Sequence, residues 1–322
     1  MTIGLNSHRL YYVVLTILLL DGAILVLSQA RLDTSYLIPW LVFASALLFG
    51  FIFIRRKLRQ QSRPHPALFQ LAQLLEGLFF LKLAWLALRL LNHLTMMTAI
   101  PLADDMLAGW DHALGISWHM YFDWVHASPV AIEILKTSYT SLTSLSVLAL
   151  AGLIAMRQTL RARYFIEVFF VTALICIVMG AGFPAKAAVL HIIPDLSLYP
   201  NFDEVPGSYH IEHLTALRGA EGSVTLELSN LPGLVTFPSF HTAAGILLSV
   251  AYWRTRLFAP VVGYTVIMIA STPVFGAHYF IDIFAGAAIA GIVCTTCAAR
   301  TKYRGLFTNA STEPLNATLN PA

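Results

Sequence analysis

Two histidines and one aspartate have the side-chain types and the spacing that phosphoryl transfer needs. His278 and Asp282 are an i, i+4 pair, so on a helix they share a face and can touch. A carboxylate in that position fixes the tautomer of the imidazole and raises its basicity. With His241 as a second histidine nearby, the three side chains could supply a nucleophile and a general acid.

The residues just before His241 predict an anion site. Pro238 and Ser239 are typical of the point at which a helix begins. The first turn of a helix presents unpaired N–H groups and the positive end of the helix dipole, and both attract phosphate. Ser239 adds a hydroxyl donor to this site.

Membrane helices must position these groups. The 322 residues are 57% hydrophobic and 11% charged, whereas soluble domains carry about 25% charged residues. We therefore predict an all-α fold, a polytopic membrane helix bundle of about eight spans. The continuous apolar runs place the spans at about 10–28, 36–54, 67–91, 132–156, 164–184, 239–255, 258–276 and 279–299.

The basic residues set the orientation of these spans, because cytoplasmic connections are enriched in Lys and Arg. Alternate connections and the chain ends hold Arg9, Arg55, Arg56, Lys57, Arg59, Arg63, Arg157, Arg161, Arg163, Arg254, Arg256, Arg300, Lys302 and Arg304, and the other connections hold Arg31, Lys186 and Arg218. Both termini are thus predicted to be cytoplasmic. The chain crosses inward and returns between His241 and His278, so both imidazoles are predicted on the extracytoplasmic face.

Two outer segments are long, and three regions divide the chain. Segment 92–131 combines tryptophans with polar residues and predicts an interfacial helix, while segment 185–238 is a long outer loop. Alternation over Val224–Leu228 predicts a small hairpin or strand there.

We expect N-terminal spans of unclear role at 1–95, a catalytic membrane region at 96–300 and a disordered cytoplasmic tail at 301–322.

The two segments Phe237–Thr242 and Gly276–Asp282 resemble the second and third signatures of the type 2 phosphatidic acid phosphatase superfamily. The branch most similar is that of inositol phosphorylceramide synthases and their bacterial membrane relatives, in which a bulky residue such as Phe240 stands between the serine and the histidine. Asp111–Gly115 with Trp118 also resembles an outer helix of this branch, as do Leu217 and Arg218 and the segment Gly233–Val235.

The resemblance implies a role for each motif residue. His278 would attack phosphorus and become a phosphohistidine, Asp282 would orient it, His241 would protonate the leaving group, and Ser239 would hold the phosphate. No cofactor and no metal are implied. Two features of the phosphatases are missing: their first signature, and the arginine that follows the serine of the third signature, where Thr272 follows Ser271.

Other basic residues must then neutralise the phosphate, since electrostatic stabilisation dominates phosphoryl transfer. Arg218 is the first candidate, followed by Lys186, Lys136 and Arg89. For the basic residues near the outer ends of spans, the alternative is that long side chains extend to the lipid headgroups for solvation.

The predicted function is a membrane enzyme, a phosphatase or an inositol-phosphate-type transferase, acting on a lipid phosphate or phospholipid head group at the outer face of a bacterial inner (plasma) membrane. Its partners would be that substrate and membrane lipids, with no nucleic acid. The alternatives are a transporter or channel that uses the buried charges, and a metal site built from His241, His278 and Asp282.

Overall fold

The computed structural model describes residues 8–28, 30–62, 65–219 and 224–307. Within these residues, the α-helices in chain order are α1 (His8–Leu27), α2 (Leu37–Gln60), α3 (Pro66–Met96), α4 (Asp104–Ala113), α5 (Trp118–His126), α6 (Pro129–Thr140), α7 (Leu142–Ala155), α8 (Thr159–Gly182), α9 (Ala188–Ile192), α10 (Ile211–Gly219), α11 (Phe240–Ala251), α12 (Phe258–Phe275) and α13 (Phe280–Ala298). Two short strands, β1 (Ala30–Asp33) and β2 (Val224–Glu227), and 3₁₀ turns at Leu196–Leu198 and Arg304–Leu306 accompany them. The predicted all-α class is confirmed.

Several helices have the length and apolar composition of membrane spans, which makes the chain an integral membrane protein. In the described residues these are α1, α2, α8, α12 and α13, and α6 with α7 makes a sixth if the bent pair counts as one span. The two remaining predicted spans correspond to α3, which has 31 residues and carries Glu76, Lys82 and Arg89, and to α11, which has 12 residues. Length and composition therefore support five or six of the eight predicted spans.

The continuous span predicted over 132–156 is instead bent, because α6 and α7 meet at an angle of 56°. Hydroxyl groups at the break bond back to the helix. Ser141 donates to the carbonyl of Ser138 at 3.0 Å, and Thr140 donates to that of Lys136 at 2.9 Å. Such side-chain bonds compete with the backbone ladder and bend helices. Tyr264 of α12 donates to the same Ser138 carbonyl at 3.0 Å.

The bundle has two distinct ends. At one end, which we call the site end, α8 and α12 finish and α11 and α13 begin. At the other, the basic end, the Glu167 carboxylate contacts Arg300, Lys302 (2.6 Å) and the hydroxyl of Tyr303 (2.7 Å). Glu167 is thus held in an ion-pair cluster near the start of α8. Residues 308–322 of the predicted tail lie outside the described residues, and Tyr303 is buried.

A parallel strand pair ties the first connection to the long loop. β1 pairs with β2 in the register Ala30↔Val224 to Asp33↔Glu227. The strand predicted at 224–228 is therefore present, with its partner in the connection after α1, and the described residues show no hairpin there. Leu226 points inward and packs with Leu214 and Leu217 of α10 against the end of α3.

One apolar core runs through the bundle. α3 packs against α1, α2, α7 and α8, whereas α11 packs against α8, α12 and α13. Buried side chains from both groups, including Phe80, Phe165 and Leu248, form a continuous cluster. This core fixes α11 relative to α3, and a second cluster, which includes Ala243 and Ala290, packs α13 against α11 and α8.

Candidate active site

His278 and Asp282 touch, as their spacing predicts. The Nδ1 atom of His278 lies 3.2 Å from Oδ2 of Asp282, and both side chains are buried. The two are not on one helix, however, because α13 begins at Phe280 with Tyr279 as its N-cap. Asp282 Oδ2 also accepts the Tyr279 N–H at 3.0 Å, which starts the helix there and leaves His278 in the preceding loop. With Nδ1–H directed at the carboxylate, Nε2 is the ring nitrogen that carries a lone pair.

Ser239 is the N-cap of α11, and His241 follows in the first turn. The Ser239 hydroxyl accepts the N–H of Thr242 at 3.3 Å, and its own N–H donates to the carbonyl of Asp282 at 3.0 Å. Gly286 allows this contact, because a Cβ at that position would lie 2.3 Å from the Ser239 carbonyl oxygen. The starts of α11 and α13, which carry the two signatures, are therefore joined directly.

Tyr139 packs against His241 and lies close to His278. Its ring stacks on that of His241, with 4.0 Å between centroids and 18° between planes. A Cβ at Gly276 would lie 2.8 Å from Tyr139 Cε2 and 2.6 Å from His278 Cδ2. Glycine at this position therefore lets the tyrosine and the second histidine approach each other. The Tyr139 hydroxyl is 3.0 Å from that of Tyr209 in the long loop.

Arg89 brings a positive charge to this group from α3. Its guanidinium lies near enough to act electrostatically on His241 and on the hydroxyls of Tyr139 and Tyr209. A Cβ at Gly233 would stand 3.2 Å from Arg89 Nη1. Among the described residues, no carboxylate forms an ion pair with Arg89. The charge is therefore available to an anion.

Two helices of segment 92–131 hold the loop that carries His278. Asp111 of α4 accepts the N–H groups of Phe280 and Ile281, both at 2.8 Å, and so caps α13 from outside. Burial raises the pKa of Asp111, and these two hydrogen bonds oppose the rise. Trp118 of α5 donates its indole N–H to the His278 carbonyl at 2.9 Å.

Asp104 of α4 and the long loop 185–238 contact the segment around His278 from another side. Asp104 accepts the Tyr279 hydroxyl at 2.9 Å and the N–H of Lys186 at 3.0 Å. The Ala188 N–H donates to the carbonyl of Ala277 at 2.9 Å, next to His278. The loop that carries His278 is thus held on several sides, which fixes the direction of the imidazole.

A third histidine lies beside the pair. His210 is buried, and its Nε2 is 2.6 Å from the Lys186 carbonyl oxygen. Burial lowers the pKa of His210, and the nearby His278 lowers it further, while the Lys186 carbonyl and the Asp104 carboxylate act in the opposite direction.

The predicted phosphate-binding cations occupy different places. Arg218 donates to the carbonyls of Thr98 (3.1 Å) and Ile100 and so fastens α10 to the segment after α3. The Lys186 side chain is exposed beside His210, and the half-buried Lys136 lies one turn before Tyr139 on α6. A role in phosphate binding stays a prediction for all three.

Reasoning from the sequence missed most of the surrounding residues: Tyr139, Tyr209, His210, Asp104 and the capping role of Asp111. The one available signal was the excess of aromatic and acidic residues in the outer segments. For the metal alternative, the described residues contain no group of three or more His, Cys, Asp or Glu side chains arranged to hold an ion.

Comparison with known proteins gives one family. The PAP2 superfamily matches residues 105–296, from the start of α4 to the end of α13. Neither the curated proteins nor the solved structures give a match. The matched region contains Ser239, His241, His278 and Asp282, whereas Arg89 lies before it.

Proposed function

Because the chain belongs to the PAP2 superfamily, we propose that this membrane protein transfers the phosphoryl group of a lipid phosphate or phospholipid head group through a phosphohistidine on His278. The observation that carries the proposal is the contact between His278 Nδ1 and Asp282 Oδ2 beside the stacked pair of His241 and Tyr139. The superfamily suggests phosphatase or phosphotransferase activity, and the geometry supports the roles that we propose for the side chains.

The first step forms the phosphoenzyme. The lone pair of His278 Nε2 attacks phosphorus while the bond from phosphorus to the leaving oxygen breaks. Asp282 accepts the hydrogen bond of Nδ1–H and stabilises the positive charge that develops on the ring. His241 donates a proton to the leaving oxygen, so that it departs as an alcohol or a monoester.

The second step returns the enzyme to its starting state. A water molecule or the hydroxyl group of an acceptor attacks phosphorus, and the bond to Nε2 breaks. His241, now deprotonated, takes the proton of the attacking oxygen. Hydrolysis and transfer to a hydroxyl acceptor, as in an inositol-phosphate-type transferase, differ only in this nucleophile, and the missing phosphatase arginines favour transfer.

For the phosphate cradle we propose Ser239, the first N–H groups of α11 and Arg89. Arg89 has no carboxylate partner in the described residues and acts on His241, whereas the Arg218 guanidinium donates to backbone carbonyls. Arg89 thus replaces Arg218 as the first candidate for the cation that binds the phosphate. A planar guanidinium can form two parallel hydrogen bonds with a phosphate.

The chemistry can be tested by trapping the intermediate. Purified protein is mixed with ³²P-labelled phosphatidic acid, prenyl pyrophosphate, or phosphatidylinositol plus a lipid acceptor, and is quenched in alkali, in which phosphohistidine survives. We expect labelled protein with one of these substrates and none with His278→Gln. Full turnover by His278→Gln would refute the proposal.

The role of His241 needs a separate experiment. A general acid matters little when the leaving group is already a weak base. With an aryl phosphate of low leaving-group pKa, His241→Gln should still form the phosphoenzyme, whereas with the lipid substrate it should not. An equal loss with both substrates would contradict the assignment.

We further propose that the site end faces outward from a bacterial inner (plasma) membrane, because the basic connections lie at the other end. The native Cys176, Cys294 and Cys297 are buried. In intact cells, a membrane-impermeant maleimide should label Leu198→Cys at the site end and spare Gln60→Cys at the basic end. The reverse pattern would overturn the orientation.

A further inference from the structure

A cavity of about 200 Å³ lies near the site end of the bundle, away from the two histidines. Its walls come from the first turns of α2, the middle of α3 and the segment after β2. They include Tyr36, Trp40, Lys82, Trp85 and Leu228. Three separate parts of the chain therefore line one partly open cavity.

Three aromatic rings lie around the ammonium group of Lys82 at this cavity. Its Nζ atom lies 5.6 Å from the ring centroid of Trp40, 5.6 Å from that of Phe43 and 5.5 Å from that of Trp85. In the described residues it makes no ion pair with a carboxylate. The buried indole nitrogen of Trp40 has no hydrogen-bond partner either. A positive charge without a carboxylate partner and a second donor without an acceptor make the cavity suited to an anion.

Aromatic faces attract an ammonium group, but a charged side chain at membrane depth is costly unless it is also paired. The rings also accept none of the three ammonium N–H bonds in the way that an oxygen would. A counter-anion with oxygen acceptors completes the site.

The surface beside the cavity identifies the source of that anion. Ile38, Val42 and Phe43 of α2 are 72%, 65% and 55% exposed, which suits contact with acyl chains. An anion that reaches Lys82 while such chains lie on α2 is the head group of a lipid, since the membrane surface is where anionic phosphates concentrate. We propose that this cavity binds the phosphate of an anionic phospholipid, with Lys82 and the Trp40 N–H as its ligands.

The lipid site is distinct from the catalytic pair but adjoins it. Lys82 and Arg89 are seven residues apart on α3 and share a face, about 10 Å apart along the axis. Leu228 lines the cavity, and Gly233, a few residues later, contacts Arg89. A bound lipid would therefore lie next to the segment that leads to the active site. The proposal itself does not depend on the reaction.

Tryptophan quenching tests this site. Purified protein is titrated with phosphatidylglycerol that carries brominated acyl chains, in a background of phosphatidylcholine. We expect quenching to saturate, because Trp40 and Trp85 line the cavity. Lys82→Met keeps the length and the apolar stem and should weaken binding about fivefold, in line with about 1 kcal/mol per basic residue at an anionic surface. Lys82→Arg should retain it.

Controls separate the possible outcomes. Arg31→Gln removes an exposed basic residue on β1, outside the cavity, and should bind as the parent does. Trp40→Phe keeps the ring, removes the N–H, and should also weaken binding, which provides a second variant if Lys82→Met fails to fold. Unchanged affinity in folded Lys82→Met, an equal loss in Arg31→Gln, or displacement of the lipid by about 10 mM inorganic phosphate would each overturn the proposal.

Discussion

The ring of Tyr139 lies flat against that of His241, 4.0 Å away between centroids. This stack fixes the plane of the histidine that we assign as general acid. Tyr139→Leu should lower kcat roughly 2- to 10-fold, the range expected from the energy of an aromatic pair. Tyr139→Phe keeps the ring and should stay closer to the parent. If both variants lose the same activity, the hydroxyl contact with Tyr209 is what matters, and the stacking argument fails.

Gly276 offers a matched pair of substitutions. A Cβ there would lie 2.6 Å from His278 Cδ2 and 2.8 Å from Tyr139 Cε2. Gly276 is the C-cap of α12, and a Cβ at Gly263 inside that helix would meet nothing within 4 Å. Gly276→Ala should abolish most activity and cost about 1–3 kcal/mol of stability through overpacking. Gly263→Ala should leave activity and thermal stability unchanged or slightly improved. Equal behaviour in turnover and melting assays would contradict this geometry.

Arg89 and Arg218 provide a second comparison. Arg89→Gln should reduce kcat/KM by roughly 10²- to 10³-fold if it stabilises the charge of the transferring phosphate. Arg89→Lys should recover only part, because an ammonium group cannot form the paired hydrogen bonds of a guanidinium. Arg218→Gln should mainly lower thermal stability by freeing the carbonyls of Thr98 and Ile100. A larger catalytic loss in Arg218→Gln would restore the order of candidates expected from the sequence.

Asp282→Asn removes the charge but keeps an oxygen that can accept the Tyr279 N–H. The turnover number should fall roughly 10²- to 10⁴-fold, because the developing charge on His278 loses its carboxylate. The melting temperature should change less, since the cap of α13 survives. Steady-state kinetics and thermal melting on one preparation distinguish these effects, and a variant with near-normal turnover would show that Asp282 has a structural role only.

His210 should make the protein sensitive to acid. Burial lowers its folded-state pKa below the ordinary 6.5, so the unfolded chain binds a proton more readily than the folded chain. Stability is therefore unaffected well above pH 6.5 and falls as the pH drops below it. His210→Gln should show a smaller loss of melting temperature between about pH 7.5 and about pH 5.5 than the parent does. An unchanged pH dependence would exclude His210 as a contributor.

The features of the site that the sequence predicts depend on neighbouring residues or on the chemistry of a single side chain. The contact between His278 and Asp282 and the N-cap at Ser239 depend on residues within four positions of each other. The cost of charge in a membrane explains why Glu167 needed partners, which it finds in Arg300 and Lys302. In each case, one short segment or one isolated charge is sufficient to predict the contact.

The parts of the candidate site that the sequence does not predict depend on contacts between distant segments. Tyr139 reaches His241 from α6, and Asp111 caps α13 from α4. No pattern near Tyr139 marks it, since its position depends on how α6 packs against α12. Arg218 is the opposite case. Its charge can be read from the sequence, but its guanidinium donates hydrogen bonds to carbonyl oxygens of the segment after α3.

The pairing of β1 with β2 constrains how the protein is made. Ala30 emerges from the ribosome early, and its partner Val224 follows only after most of the chain has been synthesised. β1 therefore remains without its partner strand while the intervening helices are inserted into the bilayer. Contacts of such high sequence separation form late. We therefore expect this strand pair to close late in biogenesis and to join the connection between α1 and α2 to the long loop beside the candidate active site.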